Sequence, residues 1–115
     1  MTAPIVRPGL AIPPLPAPLH FVHDQIDLDV LELVEREFSR HSGSLDNFRW
    51  GTTRSNALLA LEHFITHSLP HFGDYQDAMV QGADMLFHSL LSPYLNCGLL
   101  RLCCTNLSVK AFLAI

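Results

Sequence analysis

Six of the eight prolines of this 115-residue chain fall in its first twenty residues, at Pro4, Pro8, Pro13, Pro14, Pro16 and Pro18. Each locks φ and removes a backbone N–H donor, so the stretch can be neither a regular helix nor a central strand. Residues 1–19 are therefore expected to run as an irregular arm or linker. The PxxP spacing of Pro13 and Pro16 would suit an aromatic groove that reads polyproline II, although an interdomain spacer is the commoner use of such composition. The same prolines interrupt the N-terminal apolar residues, which leaves no secretory signal in view.

After the prolines the periodicity becomes helical. Leu28, Leu31, Val34 and Phe38 recur at spacings of three and four, which predicts a first helix from Leu28 to Arg40 with these side chains on its inner face. Asp27 or Asp29 can cap its start, and Gly43 stands where a left-handed C-terminal cap would sit. After the SerGlySer turn at 42–44, Thr52 or Thr53 can cap a second helix carrying Leu58, Leu61, Phe64, Ile65 and Leu69 inward, and Pro70 is expected to end it. Trp50 is expected to anchor the entry of that helix. A third helix is drawn from Asp74 to Val80, closed by Gly82, and a fourth from Ser92 with Pro93 in its first helical position. No apolar–polar alternation persists long enough for a sheet, so the fold class expected is all-α, a partial helical bundle behind an irregular proline-rich arm.

Composition narrows the function. With 49% hydrophobic and 16% charged residues the chain is not a disordered polymer. Its mean hydropathy of +0.24 is high for a small domain and suggests that some apolar surface belongs against a partner, including self-association through exposed apolar faces. A net charge of −4 with seven scattered Lys and Arg offers no basic stripe for a nucleic-acid backbone. No apolar run approaches the roughly 20 residues of a membrane span, so no membrane partner is expected. Cys97, Cys103 and Cys104 lack the spacing of a zinc or redox pair and read as cytosolic thiols, hence a cytoplasmic chain.

The segment from Phe87 to Leu95, FHSLLSPYL, carries the clearest chemistry. A hydroxyl residue, then Ser-Pro at a helix start, presents unpaired backbone N–H groups and the positive end of a helix dipole, which together stabilise a phosphate. Pro93 has no N–H, so Tyr94 and Leu95 are the expected donors, beside the Ser89 and Ser92 hydroxyls and the His88 imidazole. An ordinary capped helix explains the same residues, and physics alone leaves the two readings open.

HFGDYQDAM followed by MLFHSLLSPYLNCGLL resembles the bacterial iron-sulfur photolyase and cryptochrome family, which includes the prokaryotic six-four photolyases. The similarity runs from Trp50 to Leu100, with a weaker reach back through the first helix to the proline-rich arm. It implies that residues 20–100 are part of a helical flavin-binding domain, and that the motif wraps the pyrophosphate of flavin adenine dinucleotide (FAD). On that resemblance the cofactor-binding residues are His88, Ser89, Leu90, Leu91 and Ser92, with Tyr75 or Phe72 against the adenosine part; core packing is the alternative role for both aromatics. The implied whole protein is a light-driven flavoprotein that repairs damaged DNA or signals through its flavin. This chain would be a piece of it, inactive alone, without catalytic residues or the cysteines of the iron-sulfur cluster.

Residues 101–115, RLCCTNLSVKAFLAI, match nothing in that family and read as an out-of-frame ending, against a natural apolar helix docking on the core. His63 and His67 lie four apart on the second helix and could share a metal, but they face away from its apolar stripe and no third ligand accompanies them, so exposed histidines and no metal are expected. Two further readings belong to other classes: a cryptochrome-like photoreceptor piece, and a small helical interaction module.

Overall fold

A computed structural model describes residues 12–75, 78, 80, 83 and 85–103. Among them the architecture is helical: α1 (Gln25–Phe38), α2 (Arg54–His63), a π-helical turn (Phe64–Ser68), α3 (Leu69–Tyr75) and α4 (Ser92–Asn96). Among the described residues the only strand-like feature is an isolated bridge between Val80 and Ala83, so the all-α expectation holds. No helix among the described residues is long and apolar enough to cross a membrane. The expected out-of-frame ending lies, from Cys104 onward, outside the described residues.

The arm from Ile12 to His23 is irregular, as its prolines require. It is tied down where they end: Phe21 N–H donates to the Arg49 carbonyl at 3.2 Å, and His23 Nε2 lies 2.8 Å from the Phe48 carbonyl oxygen with its ring stacked on Phe48.

Helix α1 begins three residues before Leu28, and its cap is neither Asp27 nor Asp29. Asp24 accepts from the Asp27 N–H at 2.9 Å while the Asp27 carboxylate accepts from the Asp24 N–H at 3.2 Å, a reciprocal capping box. That box satisfies two end groups at once, which a single cap at Asp27 could not. Gly43 adopts φ +118°, but in the turn four residues beyond the last cap, Ser39. The expected inner face is only half realised. Leu31 and Val34 are half-buried, Leu28 and Phe38 are exposed, and no residue of α1 is buried.

Thr53 caps α2 by accepting from the Asn56 N–H at 3.2 Å. Ala57 and Leu61 are buried, followed by Phe64; Leu58 falls off this line and is exposed, because spacings of four and three from Ala57 already fill the core side. Pro70 does not end the helix. The chain widens into a π turn in which Leu69 N–H donates to the Phe64 carbonyl, then continues as α3. Placing the wide turn directly before a residue that cannot donate accommodates the proline without a break. The helix drawn from Asp74 to Val80 does not form: α3 stops at Tyr75, Ala78 N–H donates back to the Tyr75 carbonyl, and Ala83 N–H to the Val80 carbonyl. Ala78, Val80 and Ala83 instead pack on Tyr75, Leu86 and Phe87, burial overriding local preference. Gly82 lies outside the described residues.

Two buried clusters result. One joins Ala57, Leu61 and Phe64 to Leu91, Tyr94 and Leu100, with Trp50, Leu69 and Phe72 against it. The other holds Tyr75, Leu86 and Phe87.

Candidate functional site

The segment FHSLLSPYL is strung between the two clusters. Phe87 is buried in one, Leu91 and Tyr94 in the other, and His88, Ser89 and Leu90 bridge the gap with His88 and Leu90 exposed. Leu90 takes φ +52°. A β-carbon in this left-handed region crowds the backbone, so a leucine persists there only because the anchors on either side fix the path. The outlier thus marks the point at which the chain must reverse to enter α4.

At α4 the expected capping geometry is altered. The cap position is Leu91, without a side-chain bond, while Ser92 is the first helical residue and Pro93 the second. The Ser92 hydroxyl is therefore exposed at the helix tip rather than spent on a backbone cap. Of the two N–H donors expected after Pro93, that of Leu95 is taken by the Leu91 carbonyl at 3.1 Å, which leaves Tyr94 of the pair, with the N–H of Ser92 ahead of it at the tip. Behind it, Gly98 at φ +76° turns the chain so that Leu100 N–H reaches the Tyr94 carbonyl at 3.0 Å.

Tyr94 fixes this turn to the rest of the molecule. Its hydroxyl accepts from the Gly51 N–H at 3.1 Å, a buried bond between residues 43 apart, and its ring meets Trp50 edge-on at 5.8 Å. Trp50 is half-buried against the first cluster and holds the entry to α2, as expected. Only glycine fits at 51: a β-carbon there would overlap Asn56 Cβ and come within 3.1 Å of the Phe21 ring.

These contacts frame a cleft of about 620 Å³ whose walls are Pro18, Leu19 and Phe21 of the arm, Trp50, and Leu90 and Tyr94 of the motif, with His20, Asn47 and Arg49 as its polar groups. Volume and composition suit a small organic ligand: mostly apolar walls and a few polar groups. A second hollow of about 40 Å³ has Ser89, His88, His63 and Ser68 in its lining and shares Leu90 with the larger cleft. His20, Asn47 and Arg49 carry no periodic or motif signal, and sequence reasoning passed over them; their flanking Phe21 and Trp50 were the only cue. Tyr75 is buried against Phe87 at 5.2 Å and does not line the large cleft, and Phe72 packs on Phe64.

Of the histidine pair, His63 reaches the small hollow and His67 does not. His63 and His67 rings are 4.5 Å apart, and His67 Nδ1 lies 3.0 Å from the His63 carbonyl. Partial burial first, and the charge of His67 second, hold the His63 imidazolium below its ordinary range. Among the described residues no group of three or more His, Cys, Asp or Glu could hold a metal. Cys97 is exposed.

The family model for deoxyribodipyrimidine photo-lyase-related protein matches residues 8–50, which are the arm, α1 and Trp50. A (6-4) photolyase of Agrobacterium fabrum (strain C58) is 47% identical over 94 residues, 82% of this chain and 18% of that relative. A 94-residue stretch placed anywhere in the 115-residue chain takes in residues 22–94, the motif serines included.

Proposed function

This chain carries sequence of the deoxyribodipyrimidine photo-lyase-related family, and from that premise we propose that it supplies the phosphate-gripping turn of a FAD-dependent, light-driven DNA repair protein and does not complete that reaction alone. The observation that carries the reading is that the matched stretch includes Phe87 to Tyr94 of the motif, of which Leu90 and Tyr94 wall a cleft of about 620 Å³.

The donor set fits the cofactor. A pyrophosphate needs several hydrogen-bond donors and some positive charge, and the dinucleotide's rings need apolar walls. Arg49 offers a guanidinium in the cleft that Phe21, Trp50 and Leu90 wall, Ser89 a hydroxyl in the adjoining small hollow, and Ser92 a hydroxyl and Tyr94 a backbone N–H at the first turn of α4. His88 and Leu91 flank the serines, and Tyr75 supports Phe87 beneath them. When bound, the flavin supplies light absorption and the electron given to the damaged base. The protein's part is to hold the phosphates and keep the rings out of water. Damaged DNA is the substrate of the whole protein in this reading; a net charge of −4 suits this chain to the cofactor side rather than to the DNA backbone.

The purified chain is expected to carry little flavin absorbance and to repair no photolesion under blue light. Titration with FAD should shift NMR resonances of residues 20–21, 47–50 and 88–94, and S92A or R49Q should weaken that response about tenfold. Stoichiometric flavin with repair activity would overturn the incompleteness, and no response at these residues would overturn the site.

A further inference from the structure

Among the described residues, one buried side-chain polar atom has no hydrogen-bond partner: Nδ1 of His23. It lies 3.7 Å from an Asp27 carboxylate oxygen, and both side chains are largely covered, at 14% and 11% exposure. The other ring nitrogen, Nε2, is 2.8 Å from the Phe48 carbonyl oxygen. A carbonyl only accepts, so Nε2 carries a proton. In a neutral imidazole Nδ1 is then a bare lone pair facing a carboxylate, and two acceptors repel. A second proton makes Nδ1 a donor toward Asp27 and satisfies both nitrogens at once.

The two partners of His23 hold opposite ends of one segment. His23 grips Phe48, while the Asp27 carboxylate is held by the Thr52 side chain as well as by the Asp24 N–H. Between them run Arg49 and Trp50, which line the large cleft, and Gly51, which donates to Tyr94. Arg49 also competes for Phe48, since its Nη1 donates to the same carbonyl at 2.9 Å. The cation that would meet a phosphate in the cleft therefore shares an acceptor with His23. Among the described residues, the charged groups on His23 or on its acceptor are Asp27 from α1 and Arg49 from the segment; the carboxylate of Asp24, its chain neighbour, is engaged by the Asp27 N–H.

We propose that His23 and Asp27 form a proton-dependent clamp on residues 48–52: protonation of His23 closes it, releases Arg49 from the Phe48 carbonyl and favours a phosphate-bearing ligand in the cleft. The coupling is reciprocal. A phosphate that draws Arg49 off the carbonyl removes a cation from beside His23 and so favours its protonation. For its ligand this rests on the cofactor reading of the cleft, whereas the clamp itself needs none.

Trp50, the single tryptophan, reports on both. In the full chain without ligand, its emission followed from about pH 8 to about pH 5.5 should show a transition. The transition should vanish in H23Q and in D27N, and persist in H20Q, H63Q and H88Q, whose histidines line the two cavities. FAD, whose pyrophosphate keeps its charge over this range, should quench Trp50 with about three- to tenfold higher affinity at the acid end, and with equal affinity at both ends in H23Q and D27N. A flat profile in the free chain, or a transition that survives H23Q, overturns the clamp whether or not FAD binds. A transition lost in H23Q and D27N with no binding of FAD supports the clamp and overturns the cofactor reading of the cleft. Binding of FAD that is indifferent to pH in the wild-type chain overturns the coupling and leaves that reading standing.

Discussion

Tyr94 illustrates how much one side chain can be asked to do in a chain this short. Its ring fills the first cluster, its hydroxyl satisfies the Gly51 N–H, and its backbone sits in the first turn of α4. Y94F keeps the ring and strands a buried donor, so it should cost about 1–3 kcal/mol in urea denaturation. Leu90 offers the opposite case. At φ +52° and partly exposed, it loses little by giving way to asparagine, which tolerates this region; L90N should gain about 0.5–1 kcal/mol in the same assay. Asp27 belongs at this scale too. A hydrogen bond from Thr52 is the largest influence on its carboxyl and, with the Asp24 N–H and His23, outweighs desolvation to hold it below its ordinary value of 3.8. A lowered carboxylate stabilises the fold above its unfolded-state value and ceases to do so as pH falls through the folded one. The acid limb of a stability-against-pH curve should therefore flatten in D27N, and an unchanged limb below about pH 4 would rule out this source.

Among the elements, the junction of α2 with the π turn, where His63 meets His67, is sensitive to pH near neutrality. His63 is held below its ordinary value of 6.5, so below that value the unfolded chain binds the proton more readily and stability falls as pH drops toward the folded value. Replacing His67 by glutamine removes the like charge, and the His63 titration followed by imidazole C–H shifts should move upward. The same stretch shows what local sequence can disclose. Ala57 and Leu61 obey a regular spacing and Thr53 is a good capping residue, so α2 was legible, as was the helical character of the whole. The π turn was not, because nothing in Phe64–Ser68 differs locally from an α-helical run; it answers Pro70, which reads from sequence as a terminator. Likewise the reach of α1 back to Gln25 depends on two acids acting reciprocally, whereas either alone predicts a later start. The motif at Ser89–Ser92 was legible through its hydroxyls and its proline. Arg49 and Asn47, which share the large cleft with its Leu90, were not, since only tertiary folding brings them there.

For the whole molecule, the division into two small clusters sets the stability. The radius of gyration is 16.8 Å, against about 13 Å for a compact domain of this length, so apolar surface is spread rather than gathered. The first cluster has little redundancy: L61A, which empties its centre, should cost about 2–5 kcal/mol and abolish a cooperative melt in a chain with only a modest reserve. The long span between Gly51 and Tyr94 also bears on how such a chain comes into being. On a ribosome adding about 5–20 residues per second, Gly51 is made roughly 2–9 s before the tyrosine that will hold it. Through that interval the aromatic side chains of Phe21 and Trp50 are without their cover, and the nascent chain is offered to chaperones with its stickiest surface showing.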